Sequence, residues 1–429
     1  MFWPIFTTSI ALTIGSGALL GASLGLTGLL LLHFAAGGAV SLAMDAVWNT
    51  MSGFTLSAIP LFVLMGDVLK TSGVSTRIYT AMNPLFSRIS GGLLHTNIAV
   101  CTVFGAVSGT SLTTAAAVGS VAYPELSKRG YDKSMVAGSL AAGGTLGILI
   151  PPSITLIIFG VLTETSIGKL FVAGIFPGLI LAVGFMIYIY FHCKINPGLV
   201  AKVDEHPSWG YTLLSLLKIW PITILMIAVM GSILMGIATP TEAAAVGAAA
   251  AIVMGFIWGD LTWSLLWKTF RSTVETWGTL GFVVLGALIL GHAVAVLVVP
   301  QAILEILQQS QLSQWQVIVI ISVMYVVMGA FFEGFSMMIM TLGIITPLLT
   351  SFGYDPVWVG IYMTLMIEIS VITPPVGLNL FVLMAVTNQE LPMLNIARAA
   401  IPYWLILLAG VILFMLVPEI VMFLPNMLG

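Results

Sequence analysis

The sequence predicts an all-α, polytopic membrane protein in which two re-entrant hairpins and two broken helices form inverted-topology repeats. Three observations carry that prediction. The 429-residue chain is 59% hydrophobic and only 7% charged, with mean hydropathy +1.13, whereas a soluble domain carries roughly 25% charged residues. Apolar runs near the ~18–20 residues needed to cross a bilayer recur from end to end, and no soluble domain fits between them. Two Pro-Pro pairs, in "GGTLGILIPPSI" at 143–154 and "EISVITPPVGLN" at 368–379, interrupt segments that otherwise read as spanning.

Composition also excludes several classes. A formal net charge of −3 offers no basic footprint for nucleic acid, and no G-x-x-x-x-G-K-[ST] run exists through which the chain could use a nucleotide. Cys101 and Cys193 are the only cysteines, too few for a disulfide framework or a metal set. An intramembrane metalloprotease would need a nucleophile or a sequence such as H-E-x-x-H, which does not occur. The chain is therefore expected not to be an enzyme. Its start, "MFWPIFTTSI", lacks the basic n-region of a signal peptide and reads as a retained first span.

Charge placement sets the topology. Lys128, Arg129 and Lys133 share one connection, Lys194, Lys202 and Lys218 another, and Lys268 with Arg271 a third; the positive-inside tendency puts all three in the cytoplasm. The chain then passes 134–161 outward, 170–193 inward, 219–237 outward, 242–258 inward, 277–298 outward and 399–424 outward. "TETSIGK", "ATPT" and "VVPQAILEILQQSQLSQ" lie outside and "TNQELPMLNIAR" inside. Within residues 1–52, "LLLLHFAAGGAVSLAMDAVW" fits an interfacial helix or a short span. Segments 93–123 and 315–350 each leave and return on one side, from opposite faces, and so read as hairpins. Their turning points, "VSGTSLTT" and "FFEGFSM", are rich in small and polar residues, which persist at membrane depth only inside protein or beside an aqueous cavity.

The prolines lack an N–H and clash with carbonyls four residues earlier, so Pro151 and Pro152 are expected to free the carbonyls of Gly147 and Ile148, and Pro374 and Pro375 those of Ser370 and Val371. Ile150 and Thr373, each preceding a proline, are biased toward extended geometry. Gly109 precedes Pro151 by 42 residues and Gly334 precedes Pro374 by 40. Matched spacing with opposite entry is the pattern of an inverted repeat, and it points to a secondary transporter whose site lies near the bilayer midplane. Freed carbonyls and the hydroxyls of Ser108, Thr110, Ser111 and Thr373 are hard oxygen donors suited to Na⁺. No Lys or Arg lies within 93–123, 134–161, 315–350 or 356–387. An anionic substrate would have to rely on helix N-termini and hydroxyls.

Other polar residues carry two readings. Glu368 in its apolar setting is a functional candidate, whereas Glu242 after "TPT" equally suits a helix first turn. Asp67 near Lys70 reads as an interfacial pair, His33, His95 and His292 as packed or interfacial, and Trp258, Trp263 and Trp267 as an interfacial belt.

The stretches "FGAVSGTSLTTAAAVGS", "AAGGTLGILIPPSI", "GVLTETSIGKLFVAGIFPG", "GIATPTEAAAVGA" and "EISVITPPVGLNLFV" resemble the large membrane subunit of tripartite ATP-independent periplasmic (TRAP) transporters, the DctM or SiaM subunit, over nearly the whole chain. The resemblance implies an elevator-type transporter of the ion transporter superfamily kind in the bacterial inner membrane. It implies Na⁺-coupled uptake of a small organic acid anion, such as a sialic acid or a C4-dicarboxylate, delivered by a periplasmic substrate-binding protein. A self-sufficient Na⁺/carboxylate symporter is the alternative. A small four-helix membrane subunit is implied as a partner and is expected here as a separate chain, besides membrane lipid around the spans. Two or more Na⁺ sites are implied: Ser108, Gly109, Thr110 and Ser111 against Gly147, Ile150 and Pro152, and Glu333, Gly334 and Ser336 against Ile372, Thr373 and Pro375. Ser108, Thr110, Ser153, Glu333 and Ser336 are the candidate substrate contacts. Glu333, where many members carry Asp, could supply ion field, substrate contact or a hairpin cap. The expected organisation is 1–92 as N-terminal scaffold with an interfacial helix, 93–193 as the first transport repeat, 194–298 as central scaffold, 299–398 as the second repeat and 399–429 as a C-terminal helix.

Overall fold

The computed structural model describes residues 2–200, 207–310, 312–329, 332 and 334–427, and all regular structure among the described residues is helical. Glu333 and Lys202 lie outside the described residues. The chain begins with α1 (Phe2–Gly15), α2 (Leu20–Phe34), α3 (Val40–Met51), α4 (Ala58–Thr71) and α5 (Val74–Phe86). There follow α6 (Leu93–Ser108), α7 (Ser111–Lys128), α8 (Lys133–Thr145), α9 (Ile154–Thr163) and α10 (Ile167–Ile195), then α11 (Trp209–Leu217), α12 (Trp220–Leu234), α13 (Pro240–Ile257) and α14 (Trp263–Val296). The remainder comprises α15 (Val299–Gln309), α16 (Gln314–Gly329), α17 (Gly334–Ser351), α18 (Pro356–Ser370), α19 (Leu378–Val386), α20 (Met393–Leu416) and α21 (Glu419–Met427).

Among the described residues, six helices are long and apolar enough to cross a membrane, and a seventh crossing arises if α11 and α12, bent by 49°, count as one. Residues such as Ile224, Ile257, Val319 and Leu405 are more than half exposed on outward faces, the distribution a hydrocarbon solvent permits. By contrast α6, α9, α16 and α18 are apolar but short. At ~1.5 Å per residue none of them alone covers a ~30 Å hydrocarbon core.

Local chemistry explains where these short helices start and stop. Gly109, at φ +65, ends α6 in the left-handed conformation, with its N–H on the Gly105 carbonyl at 2.9 Å. One residue later Thr110 caps α7, its hydroxyl accepting from the Thr113 N–H at 3.3 Å. Asp132 caps α8 through the Met135 N–H at 2.8 Å, and Asp355, followed by Pro356 at the first helical position, caps α18 through Val357 at 2.7 Å. Each cap satisfies donors that the helix itself cannot.

Several expectations from the sequence are settled here. The segment "LLLLHFAAGGAVSLAMDAVW" forms parts of two helices, α2 and α3, separated at Gly37 and Gly38. The expected connection at Lys268 and Arg271 is instead helical. At 34 residues α14 extends about 51 Å, longer than the hydrocarbon core, so its basic first turns can stand outside that core while remaining hydrogen-bonded. Glu242 takes the helix-terminus role: it accepts from the Thr239 N–H at 2.8 Å while Thr239 accepts from the Glu242 N–H at 3.3 Å, a capping box. Asp67 forms no ion pair with Lys70 among the described residues; its carboxylate accepts from the Thr273 hydroxyl at 3.0 Å, which ties α4 to α14. His95 is packed and hydrogen-bonded to the Ser90 carbonyl at 2.8 Å.

The closest helix packing joins α2 and α14 through bare backbone. A Cβ placed at Gly286 would lie 2.0 Å from the Gly21 carbonyl oxygen, one at Gly21 2.4 Å from the Phe282 oxygen, and one at Gly28 2.7 Å from the Leu290 nitrogen. Small residues that let backbones touch are a membrane-protein packing device. Gly286→Ala should therefore force α2 off α14 and cost about 1–3 kcal/mol. Gly291→Ala on the same helix meets nothing within 4 Å and should be neutral or slightly stabilising. Thermal unfolding of the two variants in detergent checks the contrast.

Candidate substrate and cation site

The first hairpin tip and the first broken helix meet without intervening side chains. A Cβ at Gly147 would lie 2.6 Å from the Thr114 hydroxyl and 2.8 Å from the Thr110 carbonyl, and one at Gly109 would lie 3.0 Å from the Pro152 carbonyl. The Ile154 N–H, which α9 cannot satisfy, donates to the Gly109 carbonyl at 3.3 Å. Ser108 adds a hydroxyl cluster: its Oγ lies 2.7 Å from Thr114 Oγ1, while Thr114 donates to the Thr110 carbonyl at 2.8 Å. Ser108, Gly109, Thr110, Gly147 and Pro152 thus converge on one point. Ile150 does not join them through its side chain, which packs toward Gly178 of α10.

Around the second Pro-Pro pair the corresponding pieces are less tightly joined. A Cβ at Gly334 would lie 2.3 Å from Ile367 Cγ2 and 3.1 Å from Ser370 Oγ, so α17 starts against the last turn of α18. Thr373 is turned toward α20: its hydroxyl donates to the Ile369 carbonyl at 2.7 Å and accepts from the Trp404 indole N–H at 2.9 Å. Ser336 is buried. Pro151 and Pro152 are buried, whereas Pro374 and Pro375 are exposed. The peptide bond within each Pro-Pro pair is cis.

The breaks liberate fewer carbonyls than proline chemistry alone suggests. The Ile148 carbonyl accepts a hydrogen bond from the Ser153 hydroxyl, which also caps α9 by accepting from the Leu156 N–H at 3.4 Å. The Ser370 carbonyl accepts from the Thr373 N–H and the Val371 carbonyl from the Asn379 N–H, each at 3.0 Å. The chain re-forms these bonds just beyond each break because an unpaired carbonyl at this depth costs several kcal/mol. Three of the four expected free oxygens are therefore already in use.

One residue that proline and hairpin patterns do not single out ties the two halves together. Asn379, fully buried at the second position of α19, accepts from the Ser111 hydroxyl at 2.9 Å and donates to the Ala141 carbonyl at 3.0 Å. Its side chain links the first hairpin to the first broken helix from within the second. The only cue in the sequence is a polar residue five positions after Pro374 in an apolar run. Trp404 was similarly invisible, since its partner lies 31 residues away. At one end of the bundle Lys133 pairs with Glu390 at 2.6 Å, which raises the lysine above its ordinary value and lowers the carboxyl, and so joins α8 to the segment after α19.

A cavity of about 180 Å³ lies where these elements meet. Thr110, Ser111 and Thr113 of the first hairpin line it, with Ile148, Ile154 and Thr155 of the first break, Phe335 of α17, Ile367 and Val371 of the second break, and Thr276 and Leu280 of α14. Among the described residues, five hydroxyl-bearing residues and no charged residue face it. Ser108 and Ser153 lie behind that surface with their hydroxyls bonded inward. Glu368 is fully buried, and neither carboxyl oxygen has a hydrogen-bond partner among the described residues, which keeps it a functional candidate. No group of three or more His, Cys, Asp or Glu gathers as a metal site among the described residues.

A polytopic helical bundle with paired broken helices around a hydroxyl-lined cavity has the form of a membrane transport protein. The chain belongs to the family of the tripartite ATP-independent periplasmic transporter DctM component, whose profile matches residues 7–420. It is 37% identical over 415 residues to the C4-dicarboxylate TRAP transporter large permease protein DctM of Pseudomonas aeruginosa, covering 95% of this chain and 94% of that protein. It is 29% identical to the sialic acid TRAP transporter large permease protein SiaM of Vibrio cholerae, covering 90% of each. It is 32% identical to the ectoine TRAP transporter large permease protein TeaC of Halomonas elongata, covering 87% of this chain and 86% of that one. Among solved structures, the YdaH transporter of Alcanivorax borkumensis superposes with a TM-score of 0.61 at 14% identity, covering 88% of this chain and 87% of that one, a likeness of fold alone.

If Asn379 links the hairpin and the break, Asn379→Ala should cost about 1–3 kcal/mol through the buried Ser111 hydroxyl left without its acceptor. Ser111→Ala should cost less, and the double variant should fall short of the sum by about 0.5–3 kcal/mol. Unfolding midpoints of the four proteins of this cycle measure the coupling.

Proposed function

We infer that this chain is the large membrane subunit of a Na⁺-coupled TRAP system that takes a small organic acid anion across the bacterial inner membrane. The observation that carries this reading is the cavity itself, which draws its wall from both hairpins, both breaks and α14. Its volume of about 180 Å³ lies below the ~300–1,000 Å³ of pockets for drug-sized ligands, which favours a C4-dicarboxylate over the bulkier sialic acid.

The donors suit a hard cation. The carbonyls of Thr110 and Pro152 and the hydroxyls of Ser108 and Thr114 would hold Na⁺ at the first break, and Ser336 with the residues around Thr373 would serve at the second. A cation bound there supplies the positive charge that the cavity wall lacks, so cation and carboxylate should bind cooperatively. The first and second repeats, 93–193 and 299–398, would move as one body against α4, α13 and α14, with the hairpins re-entrant from opposite faces. A periplasmic binding protein delivering substrate and a small four-helix subunit completing the scaffold follow from family membership.

The test is uptake into proteoliposomes holding this chain with its small subunit, given a binding protein loaded with a C4-dicarboxylate. Uptake should require an inward Na⁺ gradient, ignore ATP and fall by at least tenfold when choline replaces Na⁺. Thr276→Val, on the wall and away from the cation donors, should raise the half-saturating substrate concentration severalfold with its Na⁺ dependence unchanged. Full uptake in choline would sink the coupling, and full uptake without the binding protein would favour a self-sufficient symporter.

A further inference from the structure

Far from the cavity, at the cytoplasmic end, two adjoining concavities share a pair of indoles. One, of about 360 Å³, lies among α5, α11 and the end of α13, with Arg77, Lys218 and the hydroxyls of Thr80, Ser215 and Tyr211 on its wall. The other, of about 350 Å³, runs between α12 and α13 and is lined by apolar side chains such as Ile224, Val229, Val246 and Val253. Trp220 and Trp258 line both, so the basic pocket opens onto the apolar groove across these two rings.

We propose that this pair of concavities binds one anionic phospholipid of the cytoplasmic leaflet, its phosphate between Arg77 and Lys218 and one acyl chain in the α12–α13 groove. The electrostatics fit a single phosphodiester. Arg77 and Lys218 contribute two positive charges, and Asp260, 3.2 Å from the Arg77 guanidinium, offsets one. That leaves one unit of charge at a site where the membrane surface itself is negative. The Arg77 carbon stands 5.8 Å from the Trp258 ring centroid, which holds the guanidinium over the indole and toward the pocket. The site is also at the right depth. Helix α11 breaks from α12 at Lys218 and Ile219 with a 49° bend, and its Leu213, Leu214 and Leu217 are about two-thirds exposed, the geometry of a helix lying in the interface. Paired indoles at that level belong to the headgroup boundary. A transmembrane helix from a partner subunit would fill the groove but would leave the basic pocket without a matching anion.

Brominated lipids test the assignment, because bromine on an acyl chain quenches a tryptophan it touches. The full chain in detergent is titrated with brominated phosphatidylglycerol and, separately, with brominated phosphatidylcholine. Phosphatidylglycerol should reach half-maximal quenching at about fivefold lower mole fraction, from the ~1 kcal/mol that one net basic charge contributes near an anionic surface. Arg77→Gln with Lys218→Gln should erase that difference, and Trp220→Phe with Trp258→Phe should remove the phosphatidylglycerol-dependent part of the quenching, leaving that of other exposed indoles such as Trp263 and Trp267. Ala250→Phe, which narrows the groove, keeps both cations and adds no indole, should also prevent that part while the unfolding midpoint in phosphatidylcholine stays that of the parent. Equal quenching by the two lipids, or an undiminished preference in the Arg77/Lys218 variant, overturns the proposal. So does cross-linking of a cysteine at Val246 to the small subunit in the assembled transporter with no lipid retained there.

Discussion

Everything at the centre of this molecule answers to one constraint: a backbone N–H or C=O at membrane depth has no water to bond. A continuous helix meets the constraint internally, but four places in this chain give up continuity. The protein satisfies the exposed groups by pairing the interruptions with one another. The Ile154 N–H beyond the first break finds the Gly109 carbonyl at the first hairpin tip. The Asn379 N–H beyond the second break finds the Val371 carbonyl before it. Asn379 then spends its side chain on Ser111 and Ala141. Hairpin and broken helix are therefore one unit, since neither could stand at that depth without the other.

Much of this organisation was legible in the sequence because its causes are local. Apolar composition marks membrane residence, and two matched Pro-Pro pairs mark interruptions of the helices they fall in. The error about the free carbonyls has a local origin too. Proline removes a hydrogen bond, but the sequence pattern does not say who replaces it, and Ser153, Thr373 and Asn379 do so. What stayed hidden is long-range: Asn379 reaches residues 238 and 268 positions away, and Trp404 reaches Thr373 from a different helix. No periodicity encodes such pairs. The basic residues at 268 and 271 misled for another reason, because a helix longer than the bilayer can carry charge without ending.

The two breaks are not copies of each other. The first is buried, capped by a hydroxyl and pressed against the hairpin backbone, while the second exposes Pro374 and Pro375 and anchors Thr373 to α20. The two breaks thus differ in local bonding. The difference leaves the cavity wall with hydroxyls chiefly from the first hairpin and first break and apolar surface from α17 and α18.

Gly66 of α4 meets the same hairpin tip in a different way. A Cβ there would lie 2.9 Å from the Ser108 Cα and 3.0 Å from its carbonyl oxygen, so the two chains touch as bare backbone. Ordinary helix interfaces seat ridges in grooves, and any displacement must lift each knob out of its hole. A smooth contact of glycine on backbone holds by dispersion alone and has no notches. It fixes how near α4 and the tip may come, and any side chain at position 66 would push them apart.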